Sequence, residues 1–150
     1  MSSEPATVPS TADVMDAMAA VGTAYFQDFA TVVTRYGLTS VQAKTLSLLR
    51  EPLPMRGLAE RLVCDASNVT GIVDRLEARG LVRREPDPTD RRVRTVVATD
   101  EGHAMIRRVR EEMRSTRDAL DALTEDERTT LHVLLERLRP TPVPRPDRTP

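Results

Sequence analysis

Apolar residues recur along most of this chain at steps of three and four, the period of one helix face. Val14, Met18, Val21, Tyr25, Phe29 and Val32 form the first such stripe, so a long helix is expected from Asp13 until Tyr36-Gly37 ends it. Thr39, with Gln42 three residues on, fits a capping box for a second helix. Its buried stripe is Ala43, Leu46 and Leu49, and Pro52 and Pro54 close it off. Met55, Leu58, Ala59 and Leu62 carry a short third helix. Val69, Ile72, Val73 and Leu76 carry a fourth, with Asp65 as N-cap and Gly80 as stop. Only residues 63–65 separate these two, and a pair of short amphipathic helices joined so tightly forms a helix-turn-helix.

Then the period drops to two. "LVRRE" (81–85) and "RVRTVVAT" (92–99) alternate, with Val93, Thr95 and Val97 on one face and Arg92, Arg94 and Val96 on the other. The stretch between them holds Asp87, Pro88 and Asp90, so the pair is expected to be a β-hairpin. Helix resumes at Thr99 as cap, with Asp100 and Glu101 in the first turn, where the helix dipole favours negative charge. Ile106, Val109, Met113, Thr116, Leu120 and Leu123 then continue for nearly three heptads. A further capping box, Thr124 with Glu127, opens a last helix bearing Leu131, Leu134, Leu135 and Leu138.

The expected fold class is mainly α with a small β-hairpin wing. A single domain covers 13–138, with a winged helix-turn-helix at about 39–98 between helices at 13–36 and 99–138. Residues 1–12 and 139–150 are proline-rich and nearly devoid of large apolar side chains, so both are expected to be disordered tails.

Composition narrows the classes of function. A chain of 150 residues supports one core. The start "MSSEPATVPSTADV" has no basic, apolar signal pattern, and no apolar run has the length of a membrane span, so a soluble cytoplasmic protein is expected. A lone cysteine, Cys64, excludes an internal disulfide framework and a cysteine-rich metal site. His103 and His132 lie on different helices at no ligand spacing. There is no P-loop, G-x-S-x-G or C-x-x-C, so neither an enzyme nor a metal or cofactor is expected. The formal net charge of −1 argues against polyanion binding by the whole surface but leaves local patches open.

Two segments carry candidate chemistry. On the 66–79 helix, Ser67, Thr70, Gly71, Asp74 and Ala78 fall opposite the apolar stripe, with Asn68 and Arg75 on one flank. A face this slim and polar can enter the DNA major groove, where Ser, Thr and Asn hydrogen-bond base edges. Gly71 costs up to about 1 kcal/mol relative to alanine, which close approach of a neighbour would explain. Asp74 opposes DNA contact unless it pairs with an arginine or faces a cytosine amino group. The hairpin tip "DPTDRRVRT" (87–95) brings together Arg91, Arg92 and Arg94. Guanidinium suits a narrow minor groove, and Asp90 is placed to hold one in register. Taken singly, the helix face is equally well a plain polar surface, and the hairpin tip is better read as a solvated charged loop. Directly after one another, they favour DNA.

The run 58–102 resembles the MarR family of bacterial transcriptional regulators. The likeness is carried by "VTGIVDRLEARGLVRR", by the wing pattern Asp87-Pro88-x-Asp90-Arg91-Arg92 and by Thr99-x-x-Gly102. It implies a homodimer, usually a repressor, that binds a near-palindromic operator in double-stranded DNA and is released by a small molecule or oxidant. Carried over by position, Ser67, Asn68 and Thr70 would read bases or phosphates and Arg75 would grip the backbone. Arg91 would enter the minor groove, Asp90 and Arg92 would support the wing, and Arg56 is a phosphate candidate. An effector pocket is expected near Tyr25, Phe26, Phe29 or Tyr36, with an aromatic acid as candidate ligand, although such aromatics more often serve as core. The peroxide-sensing branch keeps its reactive cysteine near the N-terminus, where this chain has none, so thiol sensing is not expected. Pairing of copies also follows from readout, because one helix reads too few base pairs to select a single site. The helices at 13–36 and 99–138 are the expected dimerisation region, with stripes at 14–32, 106–123 and 131–138 available either to hold the copies together or to pack within one chain. The alternative is a helical protein-interaction module on a winged scaffold without DNA binding.

Overall fold

The structure, a computed structural model, describes residues 7–139. Of the two expected tails, 1–6 and 140–150 lie outside the described residues. Among the described residues the chain forms seven helices and three strands: α1 (Thr11–Arg35), α2 (Ser40–Leu48), β1 (Leu53–Pro54), α3 (Met55–Leu62), α4 (Ala66–Ala78), β2 (Val82–Pro86), β3 (Arg94–Ala98), α5 (Asp100–Glu112), α6 (Arg114–Asp121) and α7 (Glu125–Leu138).

Helix starts follow their caps. Ser10 forms a complete capping box with Asp13, so α1 begins at Thr11, two residues before the apolar stripe alone suggests. Thr39–Gln42 and Thr124–Glu127 form the boxes that open α2 and α7. Asp65 occupies the N-cap position of α4, but its side chain makes no capping bond. Gly37 (φ +65°) and Gly80 (φ +70°) end α1 and α4 in the left-handed region that glycine adopts without penalty.

The core gathers the last turns of α1, the inner faces of α2 to α4, the sheet and α5, with Val33, Ala43, Leu58, Val69, Val73 and Val109 fully buried. The hairpin gains a third strand that the sequence pattern does not announce. The sheet order is β1-β3-β2, all antiparallel, with Leu53 opposite Val96 and Pro54 opposite Thr95. A proline is tolerated there because β1 is an edge. The expected alternation in β3 is also revised. Thr95 and Val96 are both buried, because the Thr95 hydroxyl donates to the Glu85 carbonyl at 3.3 Å instead of facing water.

The Thr99-x-x-Gly102 motif belongs to this framework. Thr99 accepts the Gly102 N–H (3.1 Å) and donates its hydroxyl to the Gly80 carbonyl (2.7 Å), while its own N–H reaches Leu81 O (3.0 Å). A Cβ at Gly102 would lie 2.1 Å from the Leu81 carbonyl oxygen. The exit of α4 is thereby pinned against the entry of α5.

One expectation for the long helices needs correction. The stripe from Ile106 to Leu123 is not one helix: it breaks at Met113 (φ −72°, ψ 70°), a buried residue. The break is held from outside, since Asp28 of α1 accepts the Thr116 N–H of α6 at 2.9 Å. The long α1 stripe is also only partly core. Phe29 and Val32 are buried, whereas Val14, Met18, Val21 and Tyr25 remain exposed, as does the apolar face of α7.

Candidate nucleic-acid interface

The fourth helix divides as its periodicity requires. Val69, Ile72, Val73 and Leu76 are buried against α3, β2 and α2, and Ser67, Asn68, Thr70, Asp74, Arg75 and Ala78 are exposed. The Thr70 hydroxyl donates back to the Ala66 carbonyl at 3.0 Å, leaving its lone pairs outward. Nothing lies within 4 Å of a Cβ built on Gly71, so no neighbour among the described residues explains that glycine. Arg56, on α3, pairs with Glu60 at 3.4 Å on its own helix.

The wing tip is organised by carboxylates acting on backbone. Asp87 Oδ1 accepts the Thr89 N–H (2.8 Å), the Thr89 hydroxyl (2.6 Å) and the Asp90 N–H (3.1 Å). These bonds, the Thr89 hydroxyl first, hold the Asp87 carboxyl below its ordinary pKa. Asp90 does not hold a guanidinium, as the sequence suggested. Its Oδ1 accepts the backbone N–H of Arg92 at 3.0 Å, and its carbonyl accepts the Val93 N–H at 2.9 Å. Arg91, Arg92 and Arg94 are left exposed, and none forms an ion pair among the described residues. The reason is local: Asx-type turns use short acidic side chains on N–H groups two or three residues ahead. The wing's cations therefore stay available to an external anion.

Sequence reasoning missed the residue that joins the two parts. Arg84, in β2, donates Nη2 to Asp74 Oδ1 (2.5 Å) and Nη1 to Glu77 Oε2, while its backbone N–H reaches Glu77 Oε1 at 3.1 Å. Asp74 is thus paired with an arginine, which it shares with Glu77, and such pairing is the condition under which it is compatible with a DNA-facing helix. Burial pushes the Arg84 pKa down, but its two carboxylate partners outweigh that and leave it raised. The signal was present in the sequence as carboxylates at i and i+3 on an otherwise neutral face, followed by an arginine on a strand.

The aromatic candidates separate. Tyr25, Phe26 and Phe29 cluster, with Tyr25 stacked on Phe29 (centroids 6.1 Å, 11°) and edge-on to Phe26 (5.6 Å, 78°). Phe29 is core; Tyr25 and Phe26 are exposed. Tyr36 stands apart, its hydroxyl donating to Glu112 on α5, which raises its pKa. Partial burial, then the neighbouring Arg50, push the Arg110 pKa down, opposed by Tyr25. Cys64 is half-buried in the α3–α4 turn, its N–H bonded to Ala59 O at 3.2 Å. Among the described residues no group of three or more His, Cys, Asp or Glu side chains is placed to hold a metal, and no helix is long and apolar enough to cross a membrane.

The MarR family model matches residues 38–93, which span the helix-turn-helix and most of the wing. The HTH-type transcriptional regulator PecS of Dickeya dadantii (strain 3937) is 35% identical over 113 residues, 71% of this chain and 68% of PecS. The chain belongs to the MarR family. Among solved structures, CouR from Rhodococcus jostii RHA1 bound to p-coumaroyl-CoA superposes with a TM-score of 0.68 at 26% identity, covering 87% of this chain and 95% of CouR. A mutant of MarR from E. coli complexed with operator DNA gives a TM-score of 0.59 at 25% identity, covering 85% and 94%. The chain, as a member of this family, is accordingly a winged helix-turn-helix regulator of transcription that binds DNA.

Proposed function

We propose that the chain acts as a homodimeric repressor. Each α4 enters a major groove of a near-palindromic operator, and each wing reaches the flanking minor groove. Ser67, Asn68 and Thr70 meet base edges or phosphates, and Arg75, with Arg56 as a further candidate, meets the sugar–phosphate backbone. Arg91 inserts into the minor groove, while Asp90 and Arg92 shape the turn that aims it. The observation that carries this reading is a slim polar face on α4, turned to the surface and tied through Arg84 to a wing whose three arginines form no ion pair among the described residues. A dimer spanning two half-sites one helical turn apart would occlude promoter DNA, which makes repression the natural outcome.

The exposed apolar side chains of α1 and α7 support the dimer. Met15, Val21 and Phe26 on α1 and Val133, Leu135 and Leu138 on α7 are each half or more exposed in one chain. So much apolar surface left bare on these two helices marks an association site. Release by a small molecule is read from the Tyr25–Phe26–Phe29 cluster. Arg110 lies close enough to both Tyr25 and Arg50 to interact electrostatically with each, a combination suited to an aromatic acid. The ring faces would stack on the ligand, and the guanidinium groups would meet its carboxylate.

The test is a mobility-shift titration of the full chain on the DNA upstream of its own gene, with Arg91→Ala alongside. The variant is expected to lose about 1–3 kcal/mol per site. Equal affinity of variant and parent would falsify the wing assignment. Absence of any complex, even at low salt, would favour a winged module that binds protein instead.

A further inference from the structure

We infer that Arg84 is a positioning residue that locks the wing to the fourth helix and thereby sets discrimination between DNA sequences, more than overall affinity for DNA. The inference rests on the DNA-binding reading above and adds a residue that makes no assumed contact with DNA.

Arg84 sits mid-strand in β2, opposite Val96 of β3, so it belongs to the hairpin that carries the wing. Three of its donors cross to α4: the backbone N–H to Glu77, and two guanidinium nitrogens, one to Glu77 and one to Asp74. Asp74 and Glu77 are three residues apart, hence neighbours on one helix face. A planar fork spanning two such carboxylates fixes the rotation of the strand about the helix as well as its distance. An exposed pair would be worth little. This side chain is only 23% exposed, so its bonds are partly desolvated and less screened. No other side-chain ion pair among the described residues joins α4 to the hairpin.

The consequence concerns which interactions depend on angle. Base-edge hydrogen bonds fail with small errors in position, whereas attraction to phosphates falls off slowly and tolerates them. With the wing in one groove and α4 in the next, both sets of base contacts form together only if the angle between the elements is held. Loosening that angle costs specific binding first.

The experiment compares the full chain with Arg84→Met, which keeps the aliphatic stem, and Arg84→Lys, which keeps the charge but cannot fork across two carboxylates. Affinity is measured for the operator and for an unrelated duplex of the same length, with thermal midpoints confirming that each variant is folded. The ratio of the two affinities should fall about tenfold or more in both variants, the size of one lost base-pair preference. Affinity for the unrelated duplex should stay within about threefold, because phosphate contacts are untouched. In the free protein, hydrogen exchange at the Arg84 amide and along β2–β3 should accelerate while α2 and α5 are unchanged. An undiminished ratio in Arg84→Met, full recovery in Arg84→Lys, equal loss of both affinities, or unaltered exchange overturns the inference. A parent chain that prefers no sequence would instead defeat the DNA-binding reading, and the exchange data would still decide whether Arg84 clamps the wing.

Discussion

At the scale of single residues, backbone geometry gives the sharpest expectations. Gly102 has no room for a methyl group, because the Leu81 carbonyl oxygen occupies the place a Cβ would take. Gly102→Ala should therefore destabilise the fold by about 1–3 kcal/mol, as overpacking against backbone does. A urea melt unchanged from the parent would show that the α4–α5 junction yields freely. Val63 presents the opposite case. It holds φ +53° at the C-cap of α3, a left-handed conformation unusual for a β-branched residue, and its side chain is exposed. Relief of that strain less the entropy of glycine should make Val63→Gly more stable by up to about 1 kcal/mol. A lower urea midpoint in this variant would contradict the strain argument. At the wing tip, the depressed pKa of Asp87 fixes the sign of its pH dependence. The turn's stabilisation is present above the ordinary carboxylate range and lost as pH falls through the lower folded value. Hydrogen exchange of the Thr89 and Asp90 amides, corrected for intrinsic rates, should stay level from neutral pH to about pH 4 and rise only below it. Opening already at pH 6 would rule out Asp87 as the organiser.

At the scale of elements, the break between α5 and α6 depends on one distant carboxylate. Asp28→Ala removes the acceptor for the Thr116 N–H, and the loss of such a cap costs about 0.5–2 kcal/mol. Helix starts and stops were legible in the sequence because caps are local: Thr39 with Gln42, Thr124 with Glu127, Gly37 and Gly80 each act within a turn. The stripes of α2 to α4 were legible because all their apolar positions face one core. The break at Met113 was not, since its partner lies 88 residues away and nothing near it disfavours helix. Strand β1 was hidden for a related reason: two residues show no period, and Pro54 signals a helix stop more strongly than an edge strand. At the candidate site, the exposed face of α4 was readable from spacing. The role of Asp90 was misjudged because a short carboxylate reaches nearby N–H groups more readily than a guanidinium. Arg84 was passed over because its two partners lie 7 and 10 residues away on another element.

For the molecule as a whole, charge and apolar surface are partitioned. The net charge of −1 coexists with three wing arginines that form no ion pair among the described residues, so any attraction to DNA is local and directional. The surfaces of α1 and α7 that one chain leaves bare are what a second copy would cover. Leu135→Asp should shift sedimentation from dimer to monomer and abolish operator binding while leaving isolated-chain helicity nearly intact, since Leu135 is half exposed within one chain. A variant that still sediments as a dimer would place the interface elsewhere. The most direct measurement of the central claim is footprinting of the full chain on its upstream DNA across a range of salt. Two protected half-sites about 10 base pairs apart, with log K falling against log salt at a slope near that of about ten phosphate contacts, are expected. Protection of a single half-site or of no site, or an affinity indifferent to salt, would contradict it.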